Sequence, residues 1–367
     1  MNCDFWRGKR VFLTGHTGFK GSWLALWLDH LGAKVVGYAL DPPTSPSLFQ
    51  AADLGSMMAS IGGDVRDLEL LRSSLKDHQP EVVFHLAAQS QVRESFRDPV
   101  TTYSTNVLGT VNVLEAVRHT PSARVVVVVT SDKCYYNQER NEAYNEDARL
   151  GGRDPYSNSK GCAELVTEAY RESFFSQSNP DKRQASIGSA RAGNVIGGGD
   201  WAAERLIPDT LSAFGAGRAV RLRNPRAIRP WQHVLDPLHG YLLLAEHLWK
   251  AGSRFAQGWN FGADEEWCQP VSWVIDRLAA LWGNGAAWET DPEDHPPEAQ
   301  LLRLDCSKAK TQLGWHPLLP LPSALEWTLE WHRCYNEGRP MRSTTQCQIS
   351  RFQAMIAQAS SCATTAS

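Results

Sequence analysis

A tyrosine and a lysine four positions apart, Tyr156 and Lys160, have the spacing that points most directly to chemistry. Side chains four residues apart share one face of an α-helix, so the ammonium group would lie beside the phenol. At about 4 Å and an effective dielectric constant of about 20, it would favour the phenolate by about 4 kcal/mol, roughly three pKa units. We therefore predict that this pair removes the proton of a hydroxyl group as hydride leaves its carbon. The alternative is an ordinary solvated helix face.

Three polar residues, Ser131, Asp132 and Lys133, come just after a run of five valines at 125–129. A serine hydroxyl at the end of such a strand is well placed to relay a proton to Tyr156. Oxidation of a hydroxyl group needs only the serine, the tyrosine and Lys160. The additional carboxyl and amino groups therefore predict proton transfer beyond hydride transfer. The alternative is that Asp132 and Lys133 form a structural ion pair.

Gly15, Gly18 and Gly21 recur at every third position directly after a predicted strand. Glycines at this spacing permit a tight turn and let the backbone approach a pyrophosphate, which then lies at a helix N-terminus. Asp41, twenty residues after Gly21, is predicted to bind the adenosine ribose hydroxyls. A carboxylate there repels a 2′-phosphate, so it favours NAD over NADP. Because Asp41 precedes Pro42, it could equally form a turn.

Alternating short strands and helices are predicted to position these residues on a doubly wound parallel sheet of the Rossmann type. Ligand sites are then expected at the carboxyl ends of the strands. Asp64 and Val65, after the third strand, are expected to meet the adenine, with a helix N-cap as the alternative for this segment. The predicted strands are 10–14, 34–39, 58–61, 81–86, 124–130 and 185–192, and helices are predicted at 22–31, 106–117 and 156–173.

The overall composition is that of an ordinary globular protein, with 42% hydrophobic residues and 21% charged residues among 367. A formal charge of −3 argues against a basic nucleic-acid surface. The uniform apolar run is too short to span a bilayer, and the first ten residues lack a signal-peptide pattern. The eight cysteines have no CxxC or zinc spacing. We expect free thiols in a reducing cytoplasm and no bound metal.

The character of the sequence changes after about residue 190, where 11 of the 14 tryptophans lie beyond position 200. We predict a NAD-binding Rossmann domain over residues 1–190. A smaller substrate-binding lobe interleaved with the sheet is predicted over 191–340, and a mobile tail over 341–367, whose final residues are small. Most tryptophans are expected in the core, and others could stack on a pyrimidine.

Five segments resemble the extended short-chain dehydrogenase/reductase family whose members act on sugar nucleotides. They are Thr-Gly-His-Thr-Gly-Phe-Lys-Gly at 14–21, His-Leu-Ala-Ala-Gln-Ser at 85–90, Asn-Val-Leu-Gly-Thr at 106–110, Asp-Pro-Tyr-Ser-Asn-Ser-Lys at 154–160 and Leu-Gly-Trp-His-Pro at 313–317. The resemblance covers nearly the whole chain to about Pro340. It implies an NAD site with further contacts from Phe19, Ala87, Gln89, Asn106, Tyr156 and Lys160.

Within that family, members acting on dTDP-glucose and GDP-mannose carry Asp-Glu where this sequence has Asp132-Lys133. The Asp-Lys pair resembles the branch that acts on CDP-glucose, as do residues 15–23 and 229–234. The resemblance implies a 4,6-dehydratase that oxidises C4 of CDP-glucose, eliminates water across C5 and C6, and returns hydride to C6, in deoxysugar and lipopolysaccharide synthesis. It implies substrate contacts from Asn194 and Arg229, where Arg229 pairs with the diphosphate bidentately. Arg205 is a second candidate cation.

The resemblance also implies a homodimer in which each protomer contributes two helices, one of them at 156–173, to a four-helix bundle. Three alternatives remain. An epimerase would use Ser131, Tyr156 and Lys160 without Asp132-Lys133. A dehydratase for dTDP-glucose or GDP-mannose would share the scaffold, and the base specificity cannot be derived from these residues. A non-catalytic dinucleotide-binding regulator would be expected to have lost one of the three redox residues, and all are present.

Overall fold

The computed structural model of the protein describes residues 1–139, 142–175, 185–293 and 301–365. Its strands are β1 Arg10–Thr14, β2 Lys34–Ala39, β3 Ala59–Gly62, β4 Val82–His85, β5 Val125–Val129, β6 Ser186–Arg191, β7 Val195–Ile196, β8 Val220–Leu222, β9 Ile228–Pro230, β10 Gln232–His233, β11 Gly258–Asn260, β12 Cys268–Pro270 and β13 Trp288–Thr290. Its α-helices are α1 Cys3–Trp6, α2 Phe19–His30, α3 Leu48–Ala51, α4 Leu68–His78, α5 Val92–Arg97, α6 Pro99–Tyr103, α7 Gly109–Arg118, α8 Pro155–Phe174, α9 Leu206–Gly215, α10 Leu235–Ala251, α11 Val271–Trp282, α12 Leu321–Asn336 and α13 Met341–Thr365.

Seven strands form one sheet in the order β11-β6-β5-β4-β1-β2-β3, and each neighbouring pair is parallel. All five valines of β5 are buried, because helices cover both faces of the sheet. The strand order reverses on either side of β1, which creates the crevice at which open α/β sheets bind ligands. The predicted doubly wound Rossmann-type sheet is confirmed.

The second half of the chain is woven into the first. Strand β11 pairs with β6, so that the central sheet includes residues 258–260 and does not end at residue 190 as predicted. The remaining strands of this half form three small sheets, β10 with β7, β12 with β9 and β13 with β8. Helix α10 is buried along most of its length. Residue 190 therefore lies within β6, inside the one central sheet that both halves of the chain build.

The segment after residue 340 differs from the expected mobile tail. Residues Met341–Thr365 form helix α13, which packs on α2 and α12. Ile349 and Phe352 are fully buried, and the Phe352 ring meets Trp27 edge to face. The small residues at the end of the sequence suggested mobility, but the apolar side chains that precede them anchor the helix. Residues 366–367 of the predicted tail lie outside the described residues.

Most element boundaries lie within a few residues of the predicted ones. Helix α2 begins at Phe19 instead of residue 22, because the glycine turn leads directly into the helix at its N-cap, Gly18. The helix predicted over 106–117 starts with a π-helical turn, Ser104–Leu108, and continues as α7. Among the described residues, no helix has the length and apolar character needed to cross a membrane.

Candidate active site

A cavity of about 1210 Å³ opens at the carboxyl ends of β1, β5 and β6. Single small-ligand pockets usually measure about 300–1,000 Å³, so the cavity is large enough for more than one ligand. It collects nearly every residue predicted from the sequence. The predicted site residues that line it are Gly15, Gly18, Phe19, Gly21, Asp41, Asp64, Val65, Ala87, Gln89, Ser131, Asp132, Lys133, Tyr156, Lys160, Asn194, Arg205 and Arg229.

The first two turns of α8 position Tyr156 and Lys160. The helix starts at Pro155, whose missing N–H costs nothing there, and Asp154 caps it by accepting from the backbone N–H of Ser157 at 2.9 Å. Tyr156 and Lys160 then share one face and are both buried. The predicted pair is thus on a helix that faces the cavity, which excludes the alternative of a solvated helix face.

The pKa of Tyr156 does not follow the expectation from sequence. Burial raises it to about 12, although the hydrogen bond with Ser131 and the Arg205 guanidinium oppose the rise. Burial also lowers the pKa of Lys160 to about 8, against the charge of Glu164. The predicted lowering toward neutrality is therefore wrong for the protein's own groups, because burial destabilises both the phenolate and the ammonium.

A buried ion pair fixes α8 against the sheet. Arg191 donates to Glu164 at 2.8 Å, and both side chains are buried. Glu164 also accepts from Ser189 at 2.6 Å and from Thr130. Although burial alone would raise the pKa of Glu164, Arg191 and these hydrogen bonds lower it. Glu164 follows Lys160 by one helical turn, so the pair sets the position of the catalytic face.

Asp132 is held in place by its neighbours. Ser131 donates to one carboxylate oxygen at 2.9 Å, and the Asn194 amide donates to the other at 3.4 Å. A Cβ atom on Gly193 would lie 2.0 Å from the carboxylate, so glycine is required for this close approach. Lys133 is half-buried and lines the cavity without an ion pair to Asp132. The alternative interpretation of Asp132-Lys133 as a structural ion pair is therefore wrong.

The glycine segment forms the turn between β1 and α2. A Cβ atom on Gly21 would lie 2.1 Å from the Gly15 carbonyl oxygen, so the turn closes only with glycine there. The space beside Gly18 is nearly empty, since the one atom within 4 Å of a Cβ placed there is the Gly15 oxygen, at 3.5 Å. The backbone of Gly18 is therefore open to the cavity. An uncovered backbone at a helix N-terminus fits a pyrophosphate group.

Asp41 and Asp64 lie after β2 and β3, at the far end of the cavity from Tyr156. Asp41 is exposed after β2, as a ribose ligand requires. The Asp64 carboxylate accepts from Arg66 Nε at 2.9 Å, while its backbone oxygen accepts from the Tyr38 hydroxyl. The N-cap role considered for this segment belongs to Asp67, which caps α4.

Asn106 is the predicted cofactor residue that the structure places elsewhere. Its side chain is buried, donates to Ser159 at 2.9 Å and to the Gln89 carbonyl at 3.0 Å, and accepts from the Gln89 N–H at 2.9 Å. It does not line the cavity. Asn106 therefore supports the segment that carries Gln89, because its side-chain hydrogen bonds join that segment to α8.

The predicted substrate residues come from the second half of the chain. Arg205, which precedes α9, donates to Asp200 at 2.9 Å and to Ser90 at 3.0 Å. Arg229 lies in β9 and lines the same cavity. Asn194 has a positive φ of 50°, a conformation that is uncommon outside glycine. The loop after β6 thus presents Asn194 in a constrained backbone next to Asp132.

The loop that follows Asn194 is supported from behind by aromatic residues. Trp23 donates to the Gly198 carbonyl at 2.9 Å. A Cβ atom on Gly198 would lie 2.0 Å from the ring of Trp331 in α12. Trp201 lines the cavity and packs against Trp331 and Tyr335. Most tryptophans serve the core as predicted, while Trp201 and Trp231 also line the cavity.

Residues 12–326 match the family model described as GDP-mannose 4,6 dehydratase. The chain belongs to this family. It is also 52% identical to a CDP-glucose 4,6-dehydratase from Salmonella typhimurium, over 96% of this chain and 98% of that protein.

Solved structures of two other sugar-nucleotide enzymes share the fold. A UDP-glucose 4-epimerase from Thermotoga maritima has a TM-score of 0.77 and 22% identity, over 88% of this chain and 98% of its own. A dTDP-glucose 4,6-dehydratase from Bacillus anthracis, in complex with NAD, has a TM-score of 0.73 and 21% identity, over 91% of this chain and 100% of its own. The predicted family resemblance is confirmed.

Sequence reasoning missed three residues that matter to the site of this family member. Glu164 follows Tyr156 and Lys160 at the same four-residue spacing, so its place on the catalytic face could have been found. Gly193 directly precedes the predicted substrate residue Asn194, but its packing against Asp132 depends on a contact distant in sequence. Lys20 lies inside the glycine segment and lines the cavity.

We predict that Glu164→Gln lowers the free energy of unfolding by about 3–5 kcal/mol at neutral pH, because it leaves the buried Arg191 charge uncompensated. Glu168→Gln, an exposed change one turn further along α8, is the matched control and should alter it by less than about 0.5 kcal/mol. Because the folded pKa of Glu164 is lowered, the difference between wild type and Glu164→Gln should shrink as the pH falls through that pKa. Denaturant unfolding at several pH values measures these stabilities. Equal stabilities of Glu164→Gln and Glu168→Gln would contradict the role of Glu164 in the buried ion pair.

Proposed function

We propose that the protein is an NAD-dependent 4,6-dehydratase that converts CDP-D-glucose to CDP-4-dehydro-6-deoxy-D-glucose, a step of deoxysugar and lipopolysaccharide synthesis. The observation that carries the proposal is that one cavity holds two reactive sets, Tyr156 with Lys160 and Asp132 with Lys133. The first set serves oxidation of a hydroxyl group and the second serves loss of water. The Salmonella CDP-glucose 4,6-dehydratase, with 52% identity over nearly the full length, supports CDP-glucose as the substrate.

The described residues fit NAD as the cofactor. The Gly15–Gly21 turn offers an uncovered backbone for the pyrophosphate, and Asp41 lies at the end of β2 for the ribose hydroxyls. When bound, NAD accepts a hydride from C4 of the sugar and later returns it to C6. Val65 and Ala87 complete the wall of the cofactor half of the cavity.

Oxidation at C4 requires removal of the hydroxyl proton. Tyr156 is the base, and Ser131, which is hydrogen-bonded to it, relays the proton. Because burial holds the pKa of Tyr156 at about 12 among the protein's own groups, the phenolate needs further positive charge close by. Lys160 on the same helix face is already among those groups, so the cationic nicotinamide ring of bound NAD would supply the further charge.

Elimination of water needs one group that takes a proton and one that gives a proton. Once C4 is a ketone, the C5 proton is acidic, and the C6–O bond breaks as a C5=C6 double bond forms. We assign the base to Lys133 and the acid to Asp132, whose neutral form donates the proton that turns the C6 hydroxyl into water. Ser131 and Asn194 fix the Asp132 carboxyl for this step.

Purified protein incubated with CDP-, dTDP-, UDP- and GDP-hexoses should form a 4-keto-6-deoxy product from CDP-glucose, without net consumption of added NAD. The hydride taken from C4 returns to C6, so the cofactor ends each cycle as it began. Mass spectrometry of the products decides the outcome. Formation of a C4 epimer with retention of the C6 hydroxyl would identify an epimerase instead, and preference for dTDP-glucose or GDP-mannose would correct the substrate.

Asp132→Asn and Lys133→Met should separate oxidation from elimination. Each variant should still oxidise C4, seen as absorbance of the reduced nicotinamide on the enzyme, while product formation falls by about 10²–10⁴-fold. Tyr156→Phe is the control, because it should block the earlier step and give neither signal. Lys133→Met should also slow exchange of the C5 proton with deuterium from solvent. Product formation at the parental rate by both variants would rule out this assignment.

We also propose a homodimer and a cytoplasmic location. Helices α6 and α8 and the π-helical turn after α6 carry large exposed apolar side chains: Val100 at 76%, Leu165 at 53%, Leu108 at 49% and Tyr103 at 37% exposure. These elements pack against one another, and exposed apolar side chains on neighbouring elements are typical of a protein–protein interface. The cysteines whose side chains are described are free thiols, in keeping with a reducing compartment.

Leu165→Lys should weaken the dimer, because two protomers related by a twofold axis would each bury a lysine at the same interface. Sedimentation at micromolar concentration should show a dimer for the wild type and a larger monomer fraction for the variant. Trp273→Lys, which changes an exposed apolar residue on α11, is the control and should remain dimeric. A monomeric wild type would refute the proposed dimer.

A further inference from the structure

Lys20 is a cation of the cavity that the reaction described above leaves without a role. It is the second residue of α2 and is half-buried at the cavity wall, between Gly18 and Gly21 in sequence. Within the described part of the chain, its ammonium group makes no ion pair and no hydrogen bond. A half-buried ammonium that faces a cavity without a carboxylate partner is suited to an anionic ligand.

The charged groups that face Lys20 are Arg205 and Lys160, which are cationic, and Asp132. Asp132 makes no ion pair with Lys20 among the described residues, although its charge favours the ammonium form. Arg205 lines the same cavity immediately before α9, and its guanidinium is paired with Asp200 at 2.9 Å. Three cations, Lys20, Arg205 and Lys160, therefore meet two carboxylates, Asp132 and Asp200, so positive charge exceeds negative charge in this part of the cavity.

The pKa of Lys20 agrees with this geometry. Burial, Arg205 and Lys160 together lower it to about 8, and Asp132 opposes them. The protonated form is thus destabilised among the protein's own charges. An anion placed between Lys20 and Arg205 would favour that form and would in turn be held by it.

We propose that Lys20 and Arg205 bind a diphosphate group between the first turn of α2 and the residue that precedes α9. Arg205 has five N–H donors, two of which the structure shows on Asp200 and Ser90, and Lys20 adds a point charge. Two ligands of the proposed reaction carry a diphosphate, the sugar nucleotide and the dinucleotide, so this inference rests on the proposed function for its ligands. In either case, Lys20 joins the cofactor turn to the substrate side of the cavity.

The test compares Lys20→Met with the wild-type holoenzyme in two binding measurements. The first is the Kd of CDP by calorimetry, and the second is the amount of NAD retained after purification and its Kd on reloading. Lys20→Arg keeps the charge and should restore most of the affinity. Lys34→Met removes a charge from the exposed start of β2 and should leave both values unchanged. Lys20→Gln serves as the second variant if Lys20→Met does not fold.

If the diphosphate belongs to the sugar nucleotide, the Kd of CDP should rise about tenfold or more, with NAD retention unchanged. If it belongs to the cofactor, NAD retention should fall and CDP binding to the loaded enzyme should be unchanged. Wild-type values for both ligands in folded Lys20→Met and Lys20→Gln would overturn the inference. Absence of turnover with CDP-glucose in the wild type would instead count against the proposed function alone.

A pH series adds an independent readout. The anion binds the protonated ammonium, so affinity of the wild type for its diphosphate ligand should be present below pH 8 and fall as the pH rises through about 8. Lys160 titrates in the same range. The pH dependence of affinity that is due to Lys20 is therefore the portion that is lost in Lys20→Met. Identical pH profiles for wild type and Lys20→Met would contradict the inference.

Discussion

The ion pair between Glu164 and Arg191 is the constraint on which the rest of the active site depends. Each charge loses several kcal/mol of hydration on burial, so the pair persists only where its partners are complete. Here Glu164 accepts from Arg191, Ser189 and Thr130 together, and Arg191 also donates to Tyr135 and to the Glu146 carbonyl. The pair joins the end of β6 to the middle of α8. Lys160 lies one turn before Glu164, so the position of the redox face follows from this single buried contact.

The same contact also governs the elimination residues, because Arg191 ends β6 and the next few residues pack against Asp132. Gly193 leaves room for the carboxyl group of Asp132. Asn194, whose own backbone has the left-handed conformation, holds that carboxyl group in place. The residues to which we assign oxidation and elimination are therefore positioned by neighbouring segments that share one anchor. Lys133 is free of Asp132 and turned to the cavity, so the two proton-transfer groups remain separate.

The sequence predicted the sheet and the cavity residues well, because both depend on local patterns. The valine run of β5 and the glycine turn before α2 are short segments whose spacing is decisive. The cofactor contact predicted for Asn106 stays a prediction, since its side chain is buried against Gln89 and Ser159, and a motif does not show whether a side chain faces the ligand or its support. The predicted lowering of the Tyr156 pKa was wrong, because it left out burial, which depends on the whole fold. Helix α13 was missed because its apolar residues are sparse among polar ones.

The contact between Gly198 and Trp331 makes distant parts of the chain depend on each other. The loop after β6 leaves no room for a side chain at Gly198, and the ring that fills this space belongs to α12, more than a hundred residues later. Trp201 then packs on the same ring. Exchange of this loop between related enzymes, as in the construction of chimeras with altered sugar specificity, would therefore have to carry the matching face of α12 with it. The unit of recombination is the loop together with its aromatic support.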